Sequence, residues 1–156
     1  MTKVGLIGFV FVLLLILSPA VYAQKVKYKD IFGLLSTKQY ETAEPFLKKY
    51  LKENDDNPNA FLYMGIIFQE KASKMDVLKQ TEVGSAVMDS AIIFYDKANK
   101  TIDEREVRKN DEYYQAYNRR DLRTGEFGVK LSDVQFDLEK KILALKNRPD
   151  GIFVAN

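Results

Sequence analysis

Apolar residues recur at three- and four-residue steps from residue 26 onward, the spacing that puts them on one face of a helix. Tyr28, Ile31, Phe32 and Leu35 give a short first helix, closed by the turn "STKQ". Ala43, Phe46, Leu47, Tyr50 and Leu51 give a second. Pro45 suits that helix only in the first turn, where amides have no intrahelical partner, so Thr42 is the expected N-cap. The turn formers of "ENDDNPN" end it. A third helix opens at Pro58 or Asn59 and carries Phe61, Met64, Gly65, Phe68 and Ala72 on one side. After a less regular stretch, Ser73 to Val83, a strongly amphipathic helix over 82–100 presents Val87, Ala91, Phe94, Tyr95 and Ala98. Thr101 or Asp103 could cap a further helix reaching Arg119, with Val107, Tyr113, Tyr114 and Tyr117. "RRDLRTGEFGVK" has no helical period and reads as a loop. Ser132 with Gln135 forms a capping-box pattern for a last helix bearing Val134, Leu138, Ile142 and Leu145, stopped by Pro149 and Gly151. The pattern predicts an all-α domain.

The first 23 residues follow a different pattern. Lys3 precedes a 14-residue run, Val4 to Leu17, of apolar residues and Gly alone. Ser18 and Pro19 break the run, and Val21-Tyr22-Ala23 offers a cleavage site before Gln24, the order of a secretory signal peptide. The run is shorter than the roughly 20 residues of a spanning helix. The alternative is an uncleaved anchor extending through Ala23, which would fix the chain to a membrane. Lipid attachment is excluded by the absence of Cys. The expected organisation is a signal peptide over 1–23, a helical domain over 24–148 and a tail over 149–156, with the mature protein periplasmic or secreted.

Without Lys3 the chain has 23 basic and 22 acidic residues, so no global attraction draws it to nucleic acid or an anionic membrane. Membrane contact is expected only if the N-terminal segment stays uncleaved. The absence of Cys in an exported chain leaves apolar packing to hold the fold. The absence of His removes the commonest general base and metal ligand.

The stretches "QYETAEPFLKKYL" and "NPNAFLYMGIIF" resemble the tetratricopeptide repeat, which pairs two antiparallel helices and marks their contacts with small and aromatic residues. By this resemblance Tyr40, Ala43, Leu47 and Tyr50 match the second helix of one repeat, and Pro58 its closing Pro. Phe61, Met64, Gly65 and Phe68 match the first helix of the next, and Ala91, Tyr95 and Ala98 in "SAIIFYDKANK" its second. Gly65 inside a helix costs about 1 kcal/mol relative to Ala, so a close helix crossing there is expected. The pattern departs from the family in three places. The loop before Pro58 is about three residues too long, and the opening helix has only Gly33 as a small residue. Phe61 and Ala91 stand 30 residues apart where about 16 is usual. The resemblance implies an α-solenoid of antiparallel helix pairs over roughly 26–100, completed by C-terminal capping helices.

Few residues suggest chemistry. Aligning Asp55, Asn57 and Asn59 to a calcium loop puts Ala60 where the sharp-turn Gly belongs and Ile66 where the bidentate Glu must be, so the match fails. No carboxylate pair stands out, Gly125 and Gly128 lack the context of a phosphate loop, and no enzyme, metal or cofactor is expected. The most distinctive stretch is "NDEYYQAYNRRDLRTGEFG". Tyr113, Tyr114, Tyr117, Arg119, Arg120 and Arg123 are residue types favoured at protein-binding hot spots, with Arg suited to bidentate carboxylate capture. The plainer alternative packs the tyrosines in a cap and pairs Arg119 and Arg120 with Asp111, Glu112 or Asp121.

The function expected is a non-enzymatic scaffold or adaptor in the cell envelope, presenting a concave helical surface to a protein or peptide. The alternative is a structural N-terminal module or fragment of a larger envelope protein, suggested by the stranded Ile152, Phe153 and Val154.

Overall fold

The computed structural model describes residues 26–75 and 81–147. The expected signal segment and tail lie outside the described residues. Within them the chain is mainly helical, in keeping with the all-α class. The order is α1 (Tyr28–Ser36), α2 (Tyr40–Glu53), α3 (Pro58–Ser73), α4 (Thr81–Thr101), α5 (Glu104–Lys109), a 3-10 segment (Asp111–Tyr117), the strands β1 (Arg119–Arg120) and β2 (Phe127–Gly128), and α6 (Leu131–Lys146). None of the described helices is long and apolar enough to cross a membrane.

Helix α1 buries Tyr28, Ile31 and Leu35. It ends where Lys38 takes φ 59, with the Gln39 amide donating to the Leu34 carbonyl at 2.9 Å and the Lys38 amide to Leu35 at 3.0 Å. This paired closure stops one helix and aims the next. Helix α2 starts at Tyr40, earlier than Thr42, with Gln39 as N-cap and its carbonyl accepting from Ala43 at 2.9 Å. Pro45 therefore sits inside the helix. The earlier start brings Tyr40 and the fully buried Ala43 onto the inner face, while Phe46, expected inward, is 45% exposed. At α3 the Asn57 side chain accepts from the Ala60 amide at 2.9 Å and Pro58 occupies the first turn. Here "DNPN" is a helix start, not an ion loop.

The widest contact joins α3 and α4, and α4 packs in turn on α6. At the first of these, Gly65 is buried under the ring of Tyr95, whose hydroxyl donates to Gln69 at 2.5 Å. Gly33, by contrast, faces open space and marks no crossing.

The helix expected to run to Arg119 stops at Lys109. Asp103 caps it, accepting from Glu106 at 2.7 Å, and Asn110 breaks it with φ −124. The tighter three-residue turn that follows brings Tyr114 and Tyr117 to the same side. The expected capping box is also absent. Helix α6 begins two residues earlier than a Ser132 cap would start it, at Leu131, with Lys130 as an N-cap making no side-chain bond, because Leu131 itself packs on the core.

Among the described residues two clusters form the interior. One joins α1, α2 and α3 around Ile31, Leu47 and Met64; the other joins α3, α4, the 3-10 segment and α6 around Tyr95, Tyr114 and Leu138. Leu51, Phe68, Phe94 and Tyr113 pack against both, so the two clusters share a seam.

Candidate docking groove and cationic hairpin

Opposite faces of α3 meet different surroundings, because its aromatic residues fall on both sides of the helix. On one side Phe61, Met64 and Phe68, at helical spacing, face Leu51 of α2 and Phe94 of α4 across a groove of about 520 Å³. Phe68 and Phe94 stack with centroids 5.6 Å apart and planes 10° from parallel. Lys48, Lys52 and Lys97 stand on the rim with Asp55 and Thr101. Lys48 lies 5.7 Å from the Phe68 centroid, and Lys97 lies 5.6 Å from Phe61 and 5.7 Å from Phe94. Cation–ring contact of this kind is modest at exposed sites and leaves the ammonium available to an anion. Among the described residues Lys52 and Lys97 pair with no carboxylate, whereas Lys48 is held by Glu44 at 2.7 Å.

Glu44 is the ionic pin of the α2–α3 seam. It is 8% exposed and takes Lys48 from its own helix and Lys71 from α3. Burial alone would raise its carboxyl, but hydrogen bonds from Lys48 and Lys71 outweigh burial and leave it lowered.

The other side of α3 is covered from within the chain. Tyr28 and Phe32 of α1 lie beside Asn59 and Tyr63, and Tyr113 of the 3-10 segment closes over them. Tyr113 meets Tyr28 edge-on at 5.1 Å and Phe32 at 4.7 Å. Asn59, fully buried, accepts from the Tyr28 hydroxyl at 2.5 Å and donates to the Tyr113 carbonyl at 3.1 Å. Sequence alone gave Asn59 no such role, since nothing local distinguishes a buried Asn from a turn former.

The stretch singled out from sequence therefore divides. Tyr114 is fully buried and donates to Glu106 at 3.3 Å; Tyr117 is half-buried and donates to Asp137 at 2.7 Å. Burial first, then the neighbouring carboxylates, pushes both phenols up, so they remain neutral hydrogen-bond donors. Tyr114 lies in the interior and has no surface to offer a partner. Arg119, Arg120 and Arg123 instead lie together on the exposed hairpin formed by β1 and β2, where Arg119 pairs with Gly128 and Arg120 with Phe127. Among the described residues none of the three makes an ion pair. The plainer alternative, Arg119 and Arg120 paired with Asp111, Glu112 or Asp121, does not form among the described residues; Asp121 is taken instead by Lys130 at 2.6 Å.

Asp121 also accepts from the amides of Arg123 at 2.8 Å and Thr124 at 3.2 Å. Lys130 first, then these amides, lowers its carboxyl to about 2 from an ordinary 3.8. The depressed value means that its hold on the hairpin is complete above the ordinary value and is lost as pH falls through about 2. An NMR acid titration should show Asp121 and the Arg123 and Thr124 amides moving with that low midpoint. A midpoint near 3.8 would mean the Lys130 pair is not formed in solution.

The residues assigned to repeat packing are all inward. Ala43, Leu47, Met64, Ala91, Tyr95 and Ala98 are almost fully buried, as are Phe61 and Gly65, while Tyr40, Tyr50 and Phe68 are half-buried. The groove grows from the same positions. Phe61 and Phe68 were legible as apolar, and Lys48 and Lys52 recur one turn apart, but their shared opening depends on which faces α2 and α4 leave uncovered. Comparison with protein-family models, with curated proteins and with solved structures finds no match to this chain.

Proposed function

We propose that the chain is an exported, non-enzymatic helical-repeat adaptor that docks an acidic, amphipathic segment of a partner protein in the groove between α2, α3 and α4. The groove itself carries this reading: an apolar floor of stacked phenylalanines under two lysines unpaired among the described residues. A partner helix or strand would seat an apolar side chain against Phe68 and Phe94 and set its carboxylates on Lys48, Lys52 and Lys97.

Several observations support a repeat-like arrangement. Tyr28 meets Asn59 and Phe32 meets Tyr63, equal offsets that align the opening helices of two successive units. Along α2 and α3 the contacts step in opposite senses, Glu44 to Lys71 and Lys48 to Phe68, as in an antiparallel pair. The face of α1 and α3 that an open array would offer is filled by Tyr113, which moves the docking surface to the other side. Among the described residues Glu44 and Asp121 are held lowered by their lysine partners, the reverse of what a general acid needs at those positions.

The test is photo-crosslinking in the producing cell, with a crosslinking residue at Lys52 or Thr101 in the groove, or at Lys140 on α6. One protein should be captured from both groove positions and not from Lys140. Its capture from Thr101 should fall at least tenfold when Lys52 and Lys97, the two groove lysines outside the Glu44 pin, are changed to Glu. No groove adduct, or capture indifferent to charge reversal, would refute the adaptor reading. The structural-module reading draws on a different surface: Phe136 and Leu143 of α6, 69% and 58% exposed two turns apart, form a stripe that a further helix could cover.

A further inference from the structure

The hairpin is built to hold its tip still and then exposes apolar side chains there. Both residues of each strand are exposed, so it stands off the helical body. Between the strands, the Asp121 amide donates to Glu126 at 2.8 Å and the Gly125 amide returns to the Asp121 carbonyl at 2.7 Å. Gly125 adopts φ 79, a conformation that favours glycine, and Arg120 Nε donates to its carbonyl at 3.2 Å. On this frame Leu122 is 98% exposed and Phe127 is 73% exposed, above the other exposed large apolar residues. An exposed Leu in a slack loop calls for no explanation, but one held outward on a hydrogen-bonded frame beside an exposed Phe and three arginines does.

We infer that the hairpin is a contact for an anionic lipid surface. Leu122 and Phe127 enter the interfacial layer, and Arg119, Arg120 and Arg123 bind lipid phosphates. Charge and shape favour lipid over a protein pocket. Asp121, at the centre of the tip, is neutralised by Lys130, so among the described residues the three exposed arginines have no ion-pair partner, Arg119 donating only to the Ala116 and Asn118 carbonyls and Arg120 to that of Gly125. Guanidinium forks fit phosphate oxygens in bidentate fashion. The apolar groups project from a convex tip, which a bilayer interface accepts without a preformed cavity. The near-neutral whole chain does not oppose this, because screening confines the effect to charges within about 8 Å of the surface.

The chain has no Cys, so Thr124→Cys gives a single site for an environment-sensitive fluorophore; it gives up one long bond from the Glu126 amide at 3.3 Å and keeps Leu122, Phe127, the arginines and the bonds to Asp121. The full-length protein is mixed with vesicles of phosphatidylcholine containing 30% (about one lipid in three) phosphatidylglycerol, or of phosphatidylcholine alone. A blue shift at the tip is expected with the anionic vesicles only, and none from a label at Lys140→Cys. Each arginine near an anionic surface contributes roughly a fivefold factor, so the Arg119→Gln, Arg123→Gln double, which leaves the Arg120 bond to Gly125 in place, should weaken partitioning more than tenfold. Leu122→Ser with Phe127→Ser should abolish the shift, with helical circular dichroism unchanged in both variants. No tip shift, an equal shift on neutral vesicles, a shift indifferent to the arginines, or a tip that crosslinks to a protein instead would each overturn the inference. None of these bears on the groove.

Discussion

Gly65→Ala should destabilise the protein by about 2 kcal/mol, although the same change in an open helix stabilises by up to about 1 kcal/mol. A Cβ at this position would stand 2.5 Å from two ring carbons of Tyr95. The ring cannot easily yield. It is fully buried, and its hydroxyl is tied to Gln69. Either α3 and α4 move apart along their whole contact or the ring leaves its place and strands the hydroxyl. Thermal unfolding should register a fall of about 8 °C, taking roughly 4 °C per kcal/mol for a domain of this size. Tyr95→Leu, which removes the obstructing ring, should relieve part of the loss. The double variant is then more stable than the two single losses added together, by at least about 1 kcal/mol. Gly65→Ala that behaves as an ordinary helix stabilisation would show that the two helices do not cross this closely.

This crossing was legible in the sequence because it follows from one residue: a Gly amid good helix formers needs a neighbour that occupies the space of its missing Cβ. The burial of α1, α3 and α4 was legible for a similar reason, since helical spacing fixes a face before its partner is known. What escaped were the features set by partners distant in sequence. Tyr114 and Arg119 look like one patch along the chain, yet the break at Asn110 turns the tyrosine into the core and leaves the arginine on a hairpin. The groove likewise needs α2 and α4 to leave the same side of α3 open. Pro45 pointed to a helix start at Thr42, and tertiary packing of Tyr40 and Ala43 overrode it.

Asn59→Ala should cost about 3 kcal/mol, because it strips a buried hydroxyl and a backbone carbonyl of their partners at once. Tyr28, 7% exposed, has its phenol held well above the ordinary value, chiefly by burial, and so must donate a proton to something. Asn59 supplies that acceptor, and its amide supplies the donor for Tyr113. Three segments distant in sequence are joined through one side chain, so the loss should unfold cooperatively and not as a frayed C-terminus. Hydrogen exchange should quicken in α1 and the 3-10 segment together. Asn59→Asp separates the hydrogen bonds from mere shape. Its protonated acid can donate to Tyr113 and accept from Tyr28, but its carboxylate cannot donate and is buried without a cation. Its folded pKa should therefore lie above the unfolded value of about 3.9. The variant's stability is then greatest below that unfolded value and is lost as pH rises through the folded one. Denaturation of Asn59→Asp at pH 4 and pH 7 should show this fall, beyond any change in the parent. Equal losses for Ala and Asp at both pH values would make Asn59 a space-filler. The cap would then rest on Tyr113 ring packing alone, and the face of α1 and α3 could open to a partner.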